Sequence, residues 1–174
     1  MEFLIGAFGF FLCFLYDWNR VFWKKRLISK FFLLGTLCQI FAGGSYLYLA
    51  WNGEKTERYI WIIMSLVFLV LLVYTLFFAL PFENTYCHDA ENNKVCKSGI
   101  YGVCRHPGIW WYFGCFGCLG MATGKADSLA SCMMLSCLNL LYAWYQDKWI
   151  FPKEFCDYLE YQKEVPFLLP LKRK

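Results

Sequence analysis

Arg105-His106-Pro107 stands directly ahead of an uncharged apolar run, Pro107 to Gly124. A guanidinium and an imidazole are costly to place at the mouth of such a segment, and residues placed there usually serve a ligand. Arg105 carries a permanent planar charge able to hold a carboxylate or a phosphate. His106 can donate to, accept from or position a bound group. Pro107 suits the first turn of a helix, where its missing N–H matters little. Backbone amides at that helix start attract anions. Farther on, Gln146-Asp147 closes another uncharged run, so Asp147 can pair with Arg105 or face a cation. The segment from Tyr158 to Pro166 carries polar groups back toward the same face. Polar groups converging on a shared cavity at the end of an apolar hairpin point to an enzyme. The plainer uses are that Arg105 meets lipid phosphate, His106 caps a helix and Asp147 forms an ordinary salt bridge.

These groups need a scaffold, and the composition says which kind. Hydrophobic residues make up 59% of the 174-residue chain and charged residues 17%, against a usual charged share of about 25%. The apolar residues are gathered into long runs, which points to lipid as the solvent. Phe31–Trp51, Tyr59–Phe82, Pro107–Gly124 and Ser128–Gln146 carry no charge, and each is near the ~20 residues of a spanning helix. Phe3–Tyr16 is shorter. Trp18, Phe22 and Trp23 extend it, with Arg20 and Lys24 snorkelling to the interface. Its lack of a basic leading region and of a small-residue cleavage site favours a retained helix over a signal peptide.

The fold class expected is therefore all-α. It is an integral membrane bundle of about five spans with a cytoplasmic amphipathic C-terminal segment. One membrane domain covers 1–174: three spans over 1–82, a cytoplasmic loop over 83–106, a helical hairpin over 107–146 and a tail over 147–174. Pro81 ends the third span. Lys153–Lys163 reads as an amphipathic helix able to close over a pocket. With five spans, every basic residue except Lys55, Arg58 and Lys125 falls on one side. Positive charge favours the cytoplasmic face, which puts the N-terminus outside and the C-terminus inside. The net charge of +4 then follows from topology and anionic membrane lipids, and no nucleic acid is needed as a partner.

Gly114, Gly117, Gly120 and Gly124 recur at helical spacing, and small residues let a neighbouring helix approach closely. Most of the cysteines lie in apolar runs, where they act as small hydrophobes, and no disulfide is expected on the reducing side. Cys87, His88, Cys96, Cys104 and His106 lack zinc-ligand spacing, so no metal site is assigned. No residue pattern specifies an oligomeric state.

Gly99-Ile100-Tyr101, Arg105-His106-Pro107, Tyr158, Tyr161 and Val165-Pro166 together resemble the isoprenylcysteine carboxyl methyltransferase family, which overlaps in pattern with the phospholipid N-methyltransferases. The resemblance covers about residues 94 to 170. It implies S-adenosylmethionine as methyl donor, with Tyr101, His106, Pro107 and Asp147 near that cofactor. It also implies that Arg105 orients the acceptor or the cofactor carboxylate. The acceptor is a lipidic or small hydrophobic carboxylate, amine or thiol, and the latter two would need His106 or Asp147 as base. The chain departs from the pattern at Ile109 (usually Tyr), Trp111 (usually Gly), Gln146 (usually acidic) and Glu154-Phe155, where a glycine is expected. Two other readings stand beside it: a steroid- or sterol-type membrane reductase using NADPH, and a non-catalytic relative of the methyltransferase fold.

Overall fold

The structure is a computed structural model and describes residues 1–53, 56–79, 94–95 and 97–168. Among these residues it is helical throughout, with no strand. Helix α1 spans Glu2–Trp18 and runs on into a wide π turn, Asn19–Trp23. Helices α2 and α3 span Phe31–Trp51 and Arg58–Phe77. A 3-10 turn at Gly99–Gly102 leads to α4, Gly108–Thr123, and α5, Ala126–Tyr145. A second π turn, Gln146–Ile150, joins α5 to two short helices, α6 at Phe151–Glu154 and α7 at Tyr158–Glu164.

Three helical stretches are long and apolar enough to cross a membrane: Ile28–Trp51, Arg58–Phe77 and Ala126–Glu154. Helices α1 and α4 have 17 and 16 residues, roughly 25 Å at 1.5 Å per residue against ~30 Å of hydrocarbon. The third run stops earlier than its sequence suggests, at Phe77. Pro81 and most of the polar segment after it lie outside the described residues. The tail differs as well. In place of one amphipathic helix over 153–163 there are two short ones, parted where Phe155 turns extended (φ −114°, ψ 127°).

Helix α4 is the hub, packed against α3 and α5 and touching α2, while α1 lies along α2. Small residues permit this. A Cβ on Gly114 would come within 2.7 Å of the Phe68 ring of α3, and one on Gly120 within 2.8 Å of the Leu129 backbone of α5. Gly117 faces open space. Gly124 serves the backbone instead. Its φ of 69° makes the left-handed turn that ends α4 and starts the hairpin. The main core gathers Phe10, Tyr46, Tyr112, Phe116 and Leu135. A polar bracket crosses it, in which Gln39 Nε2 donates to the Gly6 carbonyl at 2.7 Å and Tyr112 donates to Gln39 Oε1 at 2.8 Å. Burying such groups is tolerable only because each finds a partner. Outside this core α2 and α3 are apolar on every face, with Leu33, Ile40, Ile63 and Val70 exposed. A helix apolar all round has an apolar environment in view.

Candidate functional site

The hairpin turn at Gly124 sends α4 and α5 antiparallel, so the start of α4 and the end of α5 share one end of the bundle. There Asp147, 7% exposed, sits at the focus of polar side chains from two other segments, the residues ahead of α4 and helix α7. Arg105 donates from Nε to Oδ1 at 2.8 Å and from Nη2 to Oδ2 at 3.0 Å, a two-pronged pair. Tyr158 donates to Oδ1 at 2.7 Å, and Gln162 Nε2 to Oδ2 at 3.1 Å. His106 Nε2 lies 3.1 Å from Oδ1. Burial pulls His106 below its ordinary value of 6.5. The imidazole is therefore neutral at neutral pH, and Nε2 carries the proton that Asp147 accepts. Burial, then the carboxylate beside it, pushes the Tyr158 hydroxyl upward, so it remains a donor.

Local backbone chemistry explains why Asp147 projects here. In the π turn the Phe151 N–H donates to the Gln146 carbonyl, five residues back. Residue 152 is proline and has no N–H to give. The Asp147 carbonyl is thus left without a backbone donor from either residue, and Gln162 Nε2 caps it at 2.8 Å. Such wide turns recur at functional sites.

The tail closes over the site as a strap. The backbone N–H of Arg105 donates to the Pro166 carbonyl at 3.0 Å and that of His106 to the Phe167 carbonyl at 3.3 Å. Arg105 Nη1 donates to the carbonyls of Val165 and Gln162, and Trp110 Nε1 to that of Leu168 at 3.2 Å. The Phe167 ring lies 4.8 Å from the His106 ring, and Phe151 stacks near-parallel on it at 5.9 Å. Tyr158, Tyr161 and Val165 form a small core of their own under the strap.

The residues singled out in the sequence do meet, with three differences. The expected hollow between Arg105, His106 and Asp147 is filled by their mutual contact; hollows of about 410 and 370 Å³ lie along α2 instead, near Gly44 and Tyr48. The amides at the start of α4 are not an open anion site, because Ile109 and Trp110 donate to the carbonyls of His106 and Pro107. Tyr101 lies to one side: its hydroxyl donates to the Thr75 carbonyl at 2.9 Å, and its own carbonyl accepts from Tyr161 at 2.6 Å. Pro107 is fully buried and contributes shape alone.

Gln162 escaped the sequence reading, although it lies one helical turn after Tyr158. Asp17 escaped it too. It is 2% exposed and accepts from Tyr142 at 2.6 Å and Gln146 at 2.8 Å, both on Oδ2. A lone carboxylate at the end of an apolar run was its signal. Arg20, expected to snorkel to headgroups, instead lies 3.5 Å from Asp17 and 2.6 Å from Glu154.

Compared with known proteins, the chain matches no family model, no curated protein and no solved structure.

Proposed function

We propose that this protein is an integral membrane S-adenosylmethionine-dependent methyltransferase acting on a lipidic or hydrophobic acceptor. Five helices cross the bilayer, with the N-terminus outside and the Asp147 cluster at the cytoplasmic end. The all-round apolar surface of α2 and α3 and the one-sided distribution of basic residues support that topology.

The observation that carries the reading is the strap. Three donors from Arg105 and His106 are held by three successive carbonyls, those of Val165, Pro166 and Phe167. Main-chain carbonyls stand there where a carboxylate would bind, and lifting the strap returns those donors to a ligand. The groups around the strap suit the cofactor: Arg105 for its carboxylate, and the Phe151, Phe167 and Tyr158 rings for a positive sulfur. When bound, S-adenosylmethionine supplies an electrophilic methyl on that sulfur.

The chain's own residues then narrow the acceptor. Asp147 spends its lone pairs on Arg105, His106, Tyr158 and Gln162, and His106 spends its Nε2 proton on Asp147. Asp147 therefore anchors the site and is not free to take a proton. An acceptor that needs no base, a lipid-borne carboxylate, fits this arrangement best. A buried, water-poor position favours the joining of opposite charges.

Calorimetric titration of the full chain in lipid nanodiscs tests the reading. S-adenosylmethionine is expected to bind, and NADPH is not. Binding of NADPH alone overturns it in favour of the reductase. Binding of neither supports the second reading, a non-catalytic relative, which draws on the complete internal pairing of Arg105 and Asp147.

A further inference from the structure

The Asp17 network is not used by the chemistry above, yet it holds the same π turn. Gln146 and Asp147 are consecutive residues of that turn. Gln146 donates to Asp17, and Asp147 accepts from Arg105 and His106. The π turn that continues α1 also holds the chain after the 146–150 turn: Arg20 Nη2 meets Glu154 Oε2 at 2.6 Å, and Lys153 Nζ lies 4.0 Å from the centre of the Phe22 ring. The turn is thus clamped before and after by one element. That element is itself fixed. Asn19, 3% exposed, donates to the Lys25 carbonyl at 3.0 Å and accepts from the Lys25 N–H at 2.9 Å.

We infer that Asp17 is a positioning residue: through Gln146 it holds the 146–150 turn in the register that presents Asp147 to Arg105 and His106. The physical reason is that a π turn carries one residue more than an α-helix would in the same span, and it persists only where surrounding contacts over-determine it. Release of Gln146 lets the turn relax toward α geometry, which rotates Asp147 away from its partners. The pair is also complementary in charge. A carboxylate at 17 accepts from an amide at 146, so a carboxylate at both positions repels and the exchanged pair is allowed.

The inference deepens the proposed function and rests on it for a binding readout; its spectroscopic readout stands apart. The chain has two histidines, so His88→Gln leaves the His106 ring as the sole imidazole signal. Ring-labelled protein in nanodiscs is compared as that background, with Asp17→Asn, with Gln146→Glu and with both. Each single change is expected to move the His106 ring signal and to weaken S-adenosylmethionine binding about tenfold. The double exchange is expected to return both toward the starting values, as coupled neighbours do. A His106 signal unmoved by Asp17→Asn overturns the inference, as does a double exchange no closer to the background than either single. Should Asp17→Asn fail to fold, Gln146→Ala carries the same ring test. Ring signals that move and recover in a protein that binds no S-adenosylmethionine support the positioning role and overturn the methyltransferase reading alone.

Discussion

Asp147 and Asp17 are two buried carboxylates at one end of the bundle, solvated by different means. Asp147 is neutralised at contact by the Arg105 guanidinium, itself buried, with Tyr158, His106 and Gln162 filling the remaining lone pairs. Asp17 is held mainly by neutral donors, Tyr142 and Gln146, and its nearest cation is the half-exposed Arg20 at 3.5 Å. A full charge pair lets a carboxylate sit beside apolar rings under a strap. Neutral donors are enough where a cation at the rim can still reach the field.

The sharpest way to separate the two is to remove each cation. Arg105→Ala strands Asp147 without a partner and is expected to cost about 3–5 kcal/mol, read as a fall in the unfolding midpoint in detergent. Arg105→Lys should recover only part of this, because a point charge cannot make the two-pronged pair. Next comes Tyr158→Phe, which removes one donor to a charged acceptor, about 1.5–3 kcal/mol. Tyr142→Phe makes the matching deletion at Asp17, and the comparison survives only if its cost is the smaller. Arg20→Gln is expected to change stability least, within about 1 kcal/mol. A larger loss from Arg20→Gln than from Arg105→Ala would reverse the ranking of the two carboxylates.

Acid gives a further contrast. His106 is held neutral in the folded protein and protonates more readily when unfolded, so the unfolded chain binds the extra proton first. Its contribution is full above the ordinary value of 6.5 and is lost as pH falls through the lower folded value. The midpoint measured between pH 7 and pH 5 is expected to drop, and His106→Gln should flatten that drop.

Much of this was legible in the residues. Uncharged runs mark α2 to the residue and the start of α3 to within one, because lipid-length apolarity has few other uses; α3 ends at Phe77, short of its run. The Arg105 and Asp147 meeting followed from two facts, the runs' lengths and the short turn at Gly124. The hidden parts share a cause: each depends on one inserted residue or on main-chain bonding. A π turn has no composition of its own, though Pro152 marks where one carbonyl must lose its donor. Asp17 is masked in the sequence because Trp18, Phe22 and Trp23 read as more of the same greasy helix. The break in the tail at Phe155 is likewise unmarked, since phenylalanine is at home in a helix and outside one.

The strap meets its seat mostly through its own peptide groups. Every residue type carries the same carbonyl, so these bonds do not depend on side-chain type; Val165, in its small core, and Phe167, against the His106 ring, add the contacts that do. A shift of the strand by one position, by contrast, would put every acceptor out of step at once. The length and path of this segment therefore set its bonding, and an insertion there is expected to be more damaging than a substitution.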